Sequence, residues 1–259
     1  MLATTALPFS PSLPRTALVT GGAKRLGRAI CRSLASAGFR VAIHYHASGA
    51  EAAELADEIG EAAIAIQADL ADESAAAALM GRVADALGPV GVLVNNASVF
   101  ERDEWHDATR ASWDRHLEPN VRAPFMLMQA MARALPVEAE GAVINLLDQR
   151  VWSLTPHFVS YTVSKAALWA LTQQMALALA PRIRVNAIGP GPALPSERQS
   201  AEQFARQSAS VPLQHGTSPE EVGRAVLALL TLPSVTGQMI ALDGGQHLQW
   251  SPTGAAEVE

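Results

Sequence analysis

A chain of 259 residues is long enough for one large α/β domain or two small ones, and 49% hydrophobic against 17% charged residues excludes global disorder. With 19 basic and 25 acidic side chains the net charge is −6, which argues against nucleic acid or an anionic membrane as partner. No apolar stretch reaches membrane-spanning length.

Residues 1–14 carry prolines at 8, 11 and 14 and no basic segment, so they read as a flexible tail rather than a signal peptide. Short apolar runs then alternate with helical patterns. Strands are predicted at Thr16–Thr20, Arg40–Tyr45, Ala63–Gln67, Gly91–Asn95, Gly141–Leu147, Ile183–Ile188 and Gln238–Leu242. Helices are predicted near 26–37, 50–60, 72–87, 112–134, 158–180 and 218–231. Six of the runs are rich in Val, Ile or Leu without strict alternation, as strands covered on both faces should be; Ala63–Gln67 is Ala-rich and weaker. The rhythm predicts a single doubly wound Rossmann-type α/β domain over residues 15–250, with 251–259 as a C-terminal tail. Cys31, the one cysteine, lies in a helical run and reads as a small core residue. The segment Pro190–Ser210 breaks the rhythm and reads as a mobile loop with a short helix, either a lid or an ordinary surface excursion. A soluble cytoplasmic protein is expected.

The first strand runs into Thr20-Gly21-Gly22-Ala23-Lys24-Arg25-Leu26-Gly27 and a helix follows. Glycines there let the backbone approach a pyrophosphate, and the helix N-terminus supplies N–H donors and a positive dipole. An NAD site would place an acid at the end of the second strand; His44-Tyr45-His46-Ala47-Ser48 holds none before Glu51. With Lys24 and Arg25 beside the turn and His46 and Ser48 as donors, NADP(H) is favoured. Solvated strand-end histidines are the alternative for His44 and His46. Asp69-Leu70 follows the third strand, where an adenine ring should lie. Asn95-Asn96-Ala97-Ser98 follows the fourth, where Asn side chains can tie strand ends together as well as serve a ligand.

Tyr161 and Lys165 are spaced to share one helix face, and a nearby ammonium favours the phenolate. Such a pair arises by chance in many helices; after a fifth strand and a dinucleotide turn it points to proton transfer coupled to hydride transfer. Together with Asn120, Pro190-Gly191, Thr236-Gly237-Gln238 and Asp243-Gly244-Gly245, these stretches resemble the short-chain dehydrogenase/reductase family over residues 16 to 246, in the family's order. The resemblance implies a seven-stranded sheet, Tyr161 as acid/base, Lys165 on the nicotinamide ribose and Asn120 in a proton relay. It also implies Asn96, Ala97, Ser98, Pro190 and Gly191 along the cofactor, and a homotetramer. The long apolar runs Ala123–Met131 and Ala166–Ala180 agree with association.

Two positions depart from the family pattern. Arg25 stands where most members have the middle glycine, and Asp148, thirteen residues before Tyr161, stands where most have a serine. A carboxylate donates no hydrogen bond to a carbonyl oxygen unless protonated, which counts against ordinary ketone reduction. Both departures resemble the pteridine reductase subgroup, as do Gly22–Arg28, His44-Tyr45-His46 and Asn96–Phe100. That resemblance implies Phe100 stacked on a pterin ring and Ser98 and Arg25 near pterin and phosphates; for a ring nitrogen, Asp148 offers a second acid that can exchange protons with Tyr161 and solvent. The alternatives are an NADPH-dependent carbonyl or 3-oxoacyl reductase and a non-catalytic NADP sensor. The intact Asn120, Tyr161 and Lys165 set argues against the sensor.

Overall fold

The computed structural model describes residues 9–196 and 198–249. Seven strands form one sheet in the order β3-β2-β1-β4-β5-β6-β7, every neighbouring pair parallel. They are β1 (Thr16–Val19), β2 (Arg40–Tyr45), β3 (Ala63–Gln67), β4 (Val90–Asn95), β5 (Gly141–Leu146), β6 (Ile183–Pro190) and β7 (Met239–Leu242). The helices are α1 (Arg25–Ser36), α2 (Gly49–Ile59), α3 (Glu73–Leu87), α4 (Arg110–Leu117), α5 (Ala123–Ala134), α6 (Val159–Ala178), α7 (Ala201–Ser210) and α8 (Pro219–Leu230).

The apolar strands follow from two cores. Ala17, Val19, Ile43, Val92, Val94 and Ile144 point to one face, where Leu34 of α1, Leu55 of α2 and Val226 of α8 cover them. Leu18, Ala42, Leu93, Val143 and Val185 point to the other, against Leu79 of α3, Leu127 and Met131 of α5 and Met175 of α6. A strand that buries both its odd and even residues has no polar face to alternate with. β3 is one of the two edge strands, with only Ile66 buried, and this explains its weaker pattern. Cys31 lies in the first core, its thiol pushed well above the ordinary range by burial.

Helix starts follow local chemistry. Asp72 accepts from the backbone N–H groups of Ser74 and Ala75, and Ser218 from that of Glu221, just ahead of Pro219. Thr109 and Ser112 form a reciprocal cap on α4, and Ser200 and Gln203 do so on α7.

Two expectations are corrected. The single helix predicted over 112–134 is α4 and α5 joined by a π-helical turn, Glu118–Arg122. Pro124 has no N–H to return to the Asn120 carbonyl, so regular i+4 bonding cannot run through that point. The tail predicted over 1–14 is not free from residue 9 onward: Leu13 is buried, Phe9 meets Phe39 edge-on at 5.2 Å, and the Ser12 carbonyl accepts from the Glu140 N–H. An aromatic and a leucine between prolines are enough to dock a short extended segment on the core. Residues 1–8 and the predicted tail 251–259 lie outside the described residues.

Candidate active site

Strand order reverses beside β1, and ligands of such sheets sit at the strands' carboxyl ends. The turn after β1 is shaped by contacts that only glycine permits. Gly21 has φ +61°, and a methyl group on Gly27 would run into the Gly21 carbonyl oxygen. The Asn96 amide donates to the carbonyls of Thr20 and Gly21 at 2.9 and 3.0 Å, while the Thr20 hydroxyl oxygen accepts from the N–H groups of Asn96 and Ala97. Asn96 is therefore a tie between strand ends. Asn95 makes the same kind of tie one layer deeper, donating to Asn145, which donates to Thr172.

His44 is not at the ligand surface, which corrects its assignment to cofactor contact. It is 2% exposed; its Nδ1 accepts from the Gly21 N–H at 3.1 Å, which leaves Nε2 as donor to the Ala68 carbonyl at 3.1 Å. Burial draws its pKa down to about 4, so the ring is neutral and fixes the turn to β2 and β3. Its neighbours face outward. His46 is exposed, 3.8 Å from Asp69, and Tyr45 and Ser48 are half-buried beside the start of α2. Glu51, the first acid after the strand, reaches back to pair with Lys24 at 2.7 Å. Leu70 is a core residue, its side chain buried at 8% exposure. Gly191, after β6, packs so close to Asp243 that a methyl group there would lie 2.7 Å from the Asp243 Cα.

The start of α6 brings together the acid–base candidates. Tyr161, 5% exposed, donates its hydroxyl to Asp148 Oδ2 at 2.9 Å. Asp148 also caps the 3-10 turn Gln149–Val151, accepting at Oδ1 from the Arg150 N–H at 2.8 Å, and Arg150 Nη1 lies 3.4 Å from Oδ2. Capping and facing Tyr161 are thus one role for this carboxylate. Lys165, 3% exposed, donates to the Leu146 carbonyl at 2.8 Å and lies 5.8 Å from the Tyr161 ring centre. Burial draws its pKa down to about 8, partly opposed by the charge of Asp148. The Asn120 side chain does not reach Tyr161. It grips Val99 through both its N–H and its carbonyl, and Ser164 Oγ at 3.0 Å, so it fixes the segment after β4 to α6.

That segment carries Phe100, whose edge meets Tyr161 at 4.6 Å and whose face stacks on Phe158 at 4.7 Å, 9° from parallel. Ser98 is exposed at its start. Phe158 escapes sequence reading, as does a buried network behind it. Asp103 accepts from the Ser160 N–H and hydroxyl, and Ser160 Oγ lies 2.8 Å from His116 Nδ1. Burial pushes the Asp103 carboxyl up, but the hydrogen bonds from Ser160 hold it below the usual range. Asp103 stands 57 residues from Ser160, and nothing local in the sequence pairs them.

Phe100, Asp148, Arg150 and Tyr161 line a pocket of about 160 Å³ together with Arg25, Gly191, Leu194 and Phe204. The segment Pro190–Ser210 thus covers the site, with α7 as its short helix. Arg25 holds it, donating to the carbonyls of Pro195 at 2.9 Å and Leu194 at 3.4 Å. Arg25 itself adopts φ +52°, a left-handed conformation.

Residues 21–247 match a family model described as enoyl-(acyl carrier protein) reductase. A crystal structure of FolM alternative dihydrofolate reductase 1 from Brucella canis, complexed with NADP, is similar with a TM-score of 0.90 and 47% identity, covering 95% of this chain and 100% of that one. Pteridine reductase 1 of Leishmania tarentolae is 34% identical over 92% of this chain and 98% of its own length. The 3-oxoacyl-[acyl-carrier-protein] reductase FabG of Staphylococcus aureus is 30% identical over 91% of this chain and 99% of its own.

Proposed function

This chain belongs to the short-chain dehydrogenase/reductase family, and we propose that it is an NADPH-dependent reductase of pterins of the dihydropteridine or dihydrofolate type. The cofactor reading is supported by the cradle after β1, where Gly21 and Gly27 leave room that side chains would fill. The backbone of Gly21–Gly27 would hold the pyrophosphate at the N-terminus of α1. Tyr45, His46, Ser48 and Lys24 would meet the 2′-phosphate, with no carboxylate among residues 44–48 to repel it. Asp69 and Leu70 would border the adenine, Tyr161 and Lys165 the nicotinamide ribose, and Asn96–Ser98 and Pro190-Gly191 the rest. When bound, NADPH supplies a hydride.

What carries the pterin reading is the Asp148 carboxylate on the Tyr161 hydroxyl, at the wall of a pocket bordered by Phe100. Reducing a ring C=N adds a hydride to carbon and a proton to nitrogen. Tyr161 holds that proton at its hydroxyl. The Asp148 side chain, 18% exposed, exchanges protons with water and returns one to the phenol. The Lys165 ammonium stabilises the phenolate left behind. Phe100, backed by Phe158, offers a flat face to an electron-poor ring. Asn120 acts as a positioning residue through Val99 and Ser164.

The FabG-like reading is favoured by the Staphylococcus relative, and one experiment separates the two. NADPH oxidation is followed with dihydrobiopterin, dihydrofolate, dihydromonapterin and an acetoacetyl thioester. Turnover of a pterin, cut about a hundredfold or more in Tyr161→Phe with NADPH binding retained, is the expected result. Reduction of the thioester alone overturns the proposal. A cytoplasmic setting accords with this cofactor and a lone buried thiol. We also infer a homotetramer through α5 and α6, the latter exposing Leu177 at 83% and Val163 at 39%. A monomer by light scattering removes that part.

A further inference from the structure

Arg25 and Arg150 line the pocket, and Arg198 stands beside it against the lining residue Phe100, in a chain whose net charge is −6. The Arg150 guanidinium lies 5.4 Å from the Phe100 ring centre and 5.1 Å from that of Phe158. Arg198, on the covering segment, lies 5.3 and 6.0 Å from the same two centres. Two guanidinium groups therefore sit against one stacked aromatic pair, and Arg25 lines the same pocket. Among the described residues lining the pocket, Asp148 is the one carboxylate, and it is engaged by Tyr161 and Arg150.

A guanidinium over a ring uses its flat face there and keeps its N–H edge in the ring-parallel plane, where it matches a carboxylate in two-point fashion. Arg198 is also tethered, donating to the Phe100 carbonyl at 3.3 Å. Its position is thus tied to the aromatic wall against which a substrate ring would lie, so little side-chain freedom remains to be lost on binding.

We propose that Arg198, with Arg150 behind it, forms a subsite for a carboxylate carried on the substrate's tail. The pocket then prefers pterins with an acidic tail, such as the glutamyl group of a folate, over pterins with a neutral polyol tail. The inference rests on the pterin reading above and adds the part of the substrate beyond the ring. It gives Arg198 a task in specificity, apart from the proton chemistry of Tyr161 and Asp148.

The test is binding rather than turnover. Folate and biopterin are titrated separately into the NADP-loaded protein by calorimetry, for the native chain, Arg198→Ala and Arg198→Lys. Folate is expected to bind about tenfold or more tightly than biopterin. Arg198→Ala should remove most of that gap, Arg198→Lys should keep part of it, and added salt should narrow it; biopterin affinity should stay constant throughout and so report an intact fold. Equal affinities in the native chain overturn the subsite and leave the pterin reading standing. So does a folate preference that survives Arg198→Ala, or an equal loss for both ligands. Failure of both ligands to bind the native protein overturns the pterin reading and the subsite together.

Discussion

Two parts of the site, the turn after β1 and the segment covering the pocket, are held as walls by different kinds of contact. The wall made by the turn after β1 is fixed from below: His44 under Gly21, Asn96 on the Thr20 and Gly21 carbonyls, Gly27 against Gly21. Each has one geometry and no room to adjust. The covering wall is held from outside by long arginines, Arg25 on Leu194 and Pro195 and Arg198 on Phe100. Its helix α7 buries no residue, whereas α1 on the other wall buries Gly27, Ile30, Cys31 and Leu34. The difference teaches where tolerance lies. A wall built from buried close approaches is preorganised for a ligand whose shape does not vary. A wall of few buried contacts belongs to the low-stability end of the fold, where opening is easiest.

Three changes put that contrast under strain. Gly27→Ala should have the largest effect, since its methyl group meets backbone and the Asn96 amide rather than a flexible side chain. Overpacking of this sort costs about 1–3 kcal/mol, and NADPH affinity should fall with it. A variant with unchanged melting temperature and unchanged NADPH affinity would mean that the turn is not rigid.

Acid should act on the same wall through His44. Its folded pKa, about 4, is lowered from 6.5, so below 6.5 the unfolded chain binds the proton that the buried ring refuses. Stability should therefore decline as pH drops from 6.5 toward 4, with a slope approaching about 1.4 kcal/mol per pH unit from this group. His44→Gln, whose neutral amide does not titrate, should flatten that part of the curve in denaturant titrations. An equally steep decline in the variant would assign the acid sensitivity elsewhere.

The covering wall should respond least in stability and most in mobility. Arg25 pays for its left-handed backbone with strain that glycine lacks, on the order of 1–2 kcal/mol. Arg25→Gly should keep or slightly raise the melting temperature, yet release Leu194 and Pro195. Limited proteolysis between residues 193 and 200 should then speed up severalfold. Unchanged cleavage would show that Arg25 does not hold this segment. An arginine kept in a glycine's conformation is the kind of outlier that points to use.

Much of the floor was legible in the chain. Apolar runs without alternation identified the doubly covered strands, a glycine-rich turn after the first of them located the cradle, and the spacing of Tyr161 and Lys165 placed them on one face of α6. These are local properties: periodicity, φ preference and helix geometry act over a few residues, so a few residues suffice to read them. Asp148 was legible as a departure from the family pattern, and the fold puts its carboxylate on Tyr161.

The rest depended on where distant segments meet. His44 read as a ligand contact or a solvated histidine, and only the packing of β2 between β1 and β3 turned it inward to hold Gly21 and Ala68. The π turn at Asn120 interrupts a run that periodicity alone carries through as one helix. Asp103, His116 and Ser160 form one buried network from three separate segments, and Phe158 becomes the backing of Phe100 only once α6 docks. The physical reason is common to all of them. Whether a polar or aromatic side chain faces water, a ligand or a buried partner is set by which surface closes over it, and that closure is made by residues tens of positions away.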